Sequence, residues 1–167
     1  MSQQGGRGVL DTSTVILLRS ITDASTLPSE PVITAVTLAE LSVGPLVATA
    51  DQDRAARQAH LQQAEADFEP LPFDAEAARA FGQVAASLRR SGRTVAARSY
   101  DAMIAATAIS NDLAVYTCNP ADFEDIDGLT VVAVPHPDRP ASLGSLPDLD
   151  VDDATIRRDV DAGRADR

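Results

Sequence analysis

Four acidic residues stand where an α/β chain could put them to chemical use. Asp11 closes the apolar run of GRGVLDTST, and Glu40 lies in TLAELS just after a second run. Asp101 opens RSYDAMIAATAISND, and Asp122 follows a further run in YTCNPADF. Within residues 98–112, Ile104, Ala105, Ala108 and Ile109 recur at helical spacing, and Asp101 falls on the same apolar stripe. Each acid alone has an ordinary reading: Asp11 as a helix cap, Glu40 on a solvated helix face, Asp101 as a cap or first-turn residue, Asp122 in a turn. Together they suggest more. At an effective dielectric of about 20, two unit charges 4 Å apart repel by roughly 4 kcal/mol. A carboxylate cluster therefore calls for a divalent cation. Oxygen ligands favour Mg²⁺ or Mn²⁺ over Zn²⁺. His60, on a polar helix, and His136, in a Pro-rich stretch, read as surface residues rather than ligands.

To act together the acids must be carried to one edge by regular elements. GRGVL reads as a strand and TVILLRS as a short helix, stopped by the turn residues of TDASTLPSEP. VITAVTLAELSVGPL is a strand passing into a helix broken at Gly44-Pro45. DQDRAARQAHLQQAEADF is a polar helix that Asp51 or Asp53 can cap, and EPLPF a short strand. DAEAARAFGQVAASLRRSG is an amphipathic helix with Asp74 as N-cap, Glu76 in its first turn and Gly92 ending it. The helix of RSYDAMIAATAISND, the strand LAVYT, a turn with a short helix in NPADFEDI and the strand LTVVAV complete the series. Alternating strands and helices imply an α/β fold with a parallel sheet. In such sheets ligands bind beyond the carboxyl ends of the strands. Asp11, Glu40 and Asp122 follow strands directly, and Asp101 joins them if its helix begins at that edge. Residues 1–137 read as one packed domain. Residues 138–167, rich first in Pro, Ser and Asp and then poor in apolar groups, read as an acidic, flexible tail.

Composition narrows the function classes. The 167 residues are 44% hydrophobic and 23% charged, which suits a single domain with a real core. No apolar run approaches the roughly 18 residues of a membrane span, and the first residues do not resemble a signal peptide; a soluble, cytoplasmic protein is expected. The lone Cys118 leaves no disulfide framework and no zinc cluster, and reads as a small buried hydrophobe. A net charge of −11 argues against binding nucleic acid through overall field, yet a bound cation inverts the sign of an acidic site locally. The chain has no lysine; all fourteen basic residues are arginine. That removes the P-loop, which needs its lysine, and likewise the receiver domains and haloacid-dehalogenase phosphatases, whose aspartates work beside one. Arg89, Arg90, Arg93 and Arg98 form the densest basic stretch. They read either as a solvated helix end or as a phosphate-gripping rim.

Taken in order, VLDTST, TLAEL, DAMIAATA and YTCNPADF resemble the PIN-domain ribonucleases, and more narrowly the VapC-type toxins of bacterial toxin–antitoxin pairs. The resemblance covers about residues 8 to 135. It implies a three-layer α/β/α domain with a central parallel sheet. It puts Asp11, Glu40, Asp101 and Asp122 on the family's metal-binding positions, with Ser13 supporting the first aspartate and Thr117 and Asn119 orienting the last acid and bound water. It further implies Mg²⁺-dependent (or Mn²⁺-dependent) hydrolysis of an RNA phosphodiester, in a tRNA or ribosomal RNA loop, a homodimer, and a VapB-type antitoxin partner. A non-toxin RNA-processing nuclease and a non-catalytic binding module on the same fold are the alternatives. Ser99-Tyr100 before Asp101 departs from the family's usual approach to that acid, and the resemblance does not extend to the tail.

Overall fold

The computed structural model describes residues 6–138; the expected acidic tail lies outside the described residues. Its elements are β1 (Arg7–Leu10), α1 (Thr12–Leu17), β2 (Glu30–Val32), α2 (Ala35–Val47), α3 (Asp51–Asp67), α4 (Ala75–Arg90), α5 (Ser99–Ser110), β3 (Ala114–Thr117) and β4 (Val131–Ala133), with short 3₁₀ turns between. The four strands form one sheet in the order β2-β1-β3-β4, and every pairing is parallel. Val9 pairs with Val32 on one side and Val115 on the other.

Successive side chains of a strand leave on opposite faces, so the sheet builds two cores. Val9, Val32 and Val115 pack with Val84 and Leu88 of α4 and with Ala102, Ala105 and Ala106 of α5. Leu10 and Ile33 pack with Val15 of α1, Leu41 of α2 and Ala64 of α3 on the other face. Helices thus cover both faces, as the parallel sheet requires. The alanines of α5 are fully buried and let that helix approach closely, which places its first turn against the strand ends. Among the described residues no helix is long and apolar enough to cross a membrane.

Three local readings change. The segment EPLPF is not a strand: only Leu71 pairs, in an isolated bridge with Thr34, because prolines on both sides of Leu71 offer no N–H to a ladder. The described residues therefore form four strands, and Asp122 follows the third of them. Helix α2 is not broken at Gly44-Pro45 but runs through to Val47. Pro45 sits in its last turn, where little helix remains to be disrupted. The nearby carbonyls are met from α3: Arg57 donates to the Gly44 oxygen at 3.1 Å and Arg54 to that of Ala48 at 3.1 Å. Neither Asp51 nor Asp53 is the cap of α3. Ala50 holds that position without a side-chain bond, and the two aspartates sit in the first turn, where their charge suits the helix dipole. Asp74 does cap α4, accepting from the Ala77 N–H at 3.0 Å. Gly92, at φ 78°, ends it: its N–H bonds to Arg89 and that of Arg93 to Leu88, a Schellman closure.

Gly8 is required by its neighbour on β3. A Cβ there would lie 2.4 Å from Cε2 and 2.7 Å from Cδ2 of Tyr116, whose ring packs against the Leu10 core. Gly8→Ala is expected to destabilise by about 1–3 kcal/mol, the usual cost of overpacking. In a Tyr116→Ala background the same change should cost far less. Urea denaturation of the four proteins in this cycle measures the coupling; an equal penalty in both backgrounds would rule out the clash.

Candidate active site

The first acid is built into the sheet. Asp11 is the N-cap of α1 directly after β1 and is buried, at 3% exposure. Its Oδ1 accepts from the Thr14 N–H at 3.0 Å, and its Oδ2 accepts from Ser13 Oγ and from Thr117 Oγ1, both at 2.8 Å. Burial pushes this carboxyl above its ordinary value, while those three donors pull the other way. Thr117 comes from the end of β3, so the bond ties the two central strands together at their carboxyl edge. Thr14 adds a second tie, its Oγ1 accepting from the Cys118 N–H at 3.0 Å. Cys118 is a free, buried thiol, as expected, and burial raises its pKa.

Glu40 reaches the same edge from α2. Thr12 Oγ1 donates to Glu40 Oε1 at 2.7 Å and also lies 3.3 Å from Thr37 Oγ1. Thr37 is in turn bonded to Thr34, the N-cap of α2. Both are fully buried. This threonine chain was not singled out in the sequence. The available signal was Thr12 itself, a hydroxyl beside Asp11 at the first position of α1. Asp122 lies in the 3₁₀ turn Pro120–Phe123 after β3. Asn119 Nδ2 donates to its Oδ2 at 2.8 Å, and Arg98 approaches its Oδ1 at 3.4 Å. Asn119 also donates its backbone N–H to Thr117 Oγ1 at 2.9 Å. Ser13 thus touches the first acid and Asn119 the last, as expected, whereas Thr117, expected at the last acid, donates to Asp11 instead.

Asp101 lies in the first turn of α5, but it is not a cap: Arg98 holds that position and no side-chain capping bond is made. No hydrogen-bond donor reaches its carboxylate among the described residues. Its pKa is pushed up to about 8, by burial first and then by the charges of Asp122, Glu40 and Asp11, with Arg98 opposing. All four acids therefore share one edge of the sheet. Among the described residues no three His, Cys, Asp or Glu side chains close tightly enough to hold an ion by themselves. The arginines are engaged differently from a free rim. Arg90 pairs with Asp127, Arg93 with Glu124 and Asp125, and Arg98 with Asp122. Arg89 is exposed on the last turn of α4.

A parallel three-layer sheet with such an acidic edge is the arrangement of a PIN domain, and the PIN-domain family model matches residues 9–129. The chain belongs to that family, and within it to the VapC type. It is 42% identical to ribonuclease VapC5 of Mycobacterium tuberculosis over 136 residues, covering 80% of this chain and 98% of that protein. The solved structure of VapBC-5, a toxin–antitoxin system of the same organism, matches with a TM-score of 0.67 and 38% identity, over 77% of this chain and 99% of that one. DNA-bound VapBC from Salmonella typhimurium matches with a TM-score of 0.60 and 30% identity, over 75% and 96% of the two chains.

The raised Asp101 carboxyl has a definite pH signature. Its folded form binds a proton that the unfolded form has lost between the ordinary value of 3.8 and about 8. The folded state therefore loses stability as pH rises through that window. With a chelator present, Asp101→Asn should raise the melting temperature at pH 8 and leave it nearly unchanged at pH 4. Equal shifts at both pH values would contradict the assignment.

Proposed function

We propose that this chain is a metal-dependent endoribonuclease, the toxin of a toxin–antitoxin pair, which hydrolyses RNA phosphodiester bonds. The observation that carries this reading is the gathering of Asp11, Glu40, Asp101 and Asp122 at the carboxyl edge of the sheet. The ribonuclease identity of the VapC5 relative supports the activity, and the toxin–antitoxin complexes among the structural neighbours support a VapB-type partner. The donor set fits Mg²⁺ or Mn²⁺: it is all oxygen, and Asp101 carries a carboxylate no protein donor satisfies. Mg²⁺ keeps several of its waters, which suits an edge where, among the described residues, no three acids close on an ion. When bound, such an ion lowers the pKa of a water and polarises the phosphate.

The chain's own residues have distinct parts in this reading. A carboxylate offers about four acceptor positions. The three donors on Asp11 fix its orientation, and Asp11 and Asp101 would be the first residues to hold a cation at this edge. Glu40, held by Thr12, and Asp122, held by Asn119, orient the attacking water or a second ion. Ser13 and Thr117 favour the charged form of Asp11 by donating to it, against the burial that raises its pKa. Arg98, beside Asp122, is the cation best placed to meet a substrate phosphate, and its forked geometry suits one. The substrate class within RNA, a tRNA or ribosomal RNA loop, and a homodimeric state follow the family pattern.

Mapping new RNA ends after induced expression tests the reaction. Asp11→Asn and Asp101→Asn should each abolish cleavage, a loss beyond the roughly 10–100-fold typical of removing a group behind a ligand. Mg²⁺ should raise the melting temperature of the parent chain, and less so that of either variant. Unchanged cleavage in either variant would refute the assignment. A small protein encoded beside this chain should co-purify with it and block cleavage; a chain isolated alone that is active and harmless to cells would count against the toxin role.

A further inference from the structure

The turn that carries Asp122 is gripped from outside the acidic site. Arg93 donates to the Ala121 carbonyl at 3.2 Å, and Arg98 donates to the same oxygen at 3.1 Å. Arg93 continues past it, reaching Glu124 at 3.2 Å and Asp125 at 2.9 Å. It therefore holds a backbone oxygen immediately before Asp122 and two side chains just after it. On the inner side the turn is fixed by Phe123, which is 2% exposed in the α4–α5 core. Arg93 is aimed by the end of α4: Gly92 adopts φ 78°, and the Arg93 N–H closes the helix on Leu88. Its side chain is only 27% exposed, well below that of a free surface arginine. The bonds of Arg93 run to Ala121, Glu124 and Asp125, the residues that flank Asp122.

We infer that Arg93 is a positioning residue, which sets the Asp122 carboxylate against the other three acids through the Ala121–Asp125 turn and does not contact RNA. The inference rests on the nuclease reading and removes Arg93 from the expected phosphate-gripping rim. A planar fork with several N–H groups spans three acceptors at once; an ammonium does not. Lysine would keep the charge that RNA attracts but lose the grip on the turn.

The test uses the full chain. Arg93→Ala and Arg93→Lys should both lower kcat by about tenfold, as small misplacements of reacting groups do, with KM for RNA unchanged. The salt dependence of RNA binding should also be unchanged, whereas loss of a phosphate contact lowers its slope by about one. Mn²⁺ affinity, measured by calorimetry without RNA, should weaken by about tenfold. A double variant, Glu124→Gln with Asp125→Asn, leaves Arg93 in place, and Asn tolerates the φ of 65° at position 125. It should reproduce the fall in kcat, and it decides the matter if the Arg93 variants fail to fold. A raised KM with a shallower salt slope in Arg93→Ala, rescue by Lys, or a lowered KM in the double variant would each overturn the inference. So would unchanged kcat and Mn²⁺ affinity. If the parent chain cleaves no RNA the nuclease reading falls, and the Mn²⁺ measurement alone then decides the role of Arg93.

Discussion

A carboxylate at 3% exposure, placed at the end of the central strand, is the constraint around which this fold is organised. Burying an ionised group without partners costs several kcal/mol or forces it to bind a proton. At Asp11 three donors from two elements offset part of that cost: Ser13 and the Thr14 N–H from α1, and Thr117 from β3, although burial still raises its pKa. Those bonds need β1 and β3 to be neighbours, parallel and in register, which is how they pair. They also need α1 to start at once after β1, so that its first N–H groups point at the acid they cap. Satisfying one charge thus fixes the central strand pair and the first helix entry.

The remaining acids arrive by the same logic at lower burial. Two threonines at the start of α2 orient the hydroxyl that meets Glu40, and Asn119 steadies Asp122 after β3. Asp101 differs. It is brought in by close packing, through the buried alanines of α5, and receives no donor in compensation. The charges of Asp122, Glu40 and Asp11 add to burial in raising the Asp101 carboxyl, against the opposition of Arg98, so acids at this edge repel one another. That repulsion is the physical basis for a cation, and it explains why the acidic chain can still approach a phosphate backbone: the field that matters is local to the edge, where an ion would reverse its sign.

Much of this was legible from spacing. Strands ending in an acid, and an acid on an apolar helical stripe, located all four carboxylates, because chain direction alone fixes which end of a parallel strand carries the site. Asp74 and Gly92 were readable because capping is local chemistry. Other features depend on partners distant in sequence. The grip of Thr12 on Glu40 spans 28 residues and that of Arg93 on Ala121 also spans 28; a basic cluster read in one dimension looks like a rim, whereas in space three of its four members have acidic partners. EPLPF looked like a strand by its apolar residues, but pairing needs N–H groups that its prolines lack. Pro45 looked like a helix breaker, but two arginines of α3 supply the donors that make the turn around it acceptable. Which face of α5 turns inward was legible; that its first turn meets the strand ends depended on the packing of both cores.

The central claim is that the four acids act electrostatically as one site, open to a cation. Titration of the aspartate carboxyl carbons by NMR, with and without Mg²⁺, measures this directly. The expected result is one carboxyl, assigned to Asp101 by its loss in Asp101→Asn, that titrates near 8 in chelator and moves to markedly lower pH when Mg²⁺ is added, since a bound cation favours the charged form. An Asp101 carboxyl that titrates in the ordinary range near 4 without metal, or one that Mg²⁺ leaves unmoved, would contradict the account.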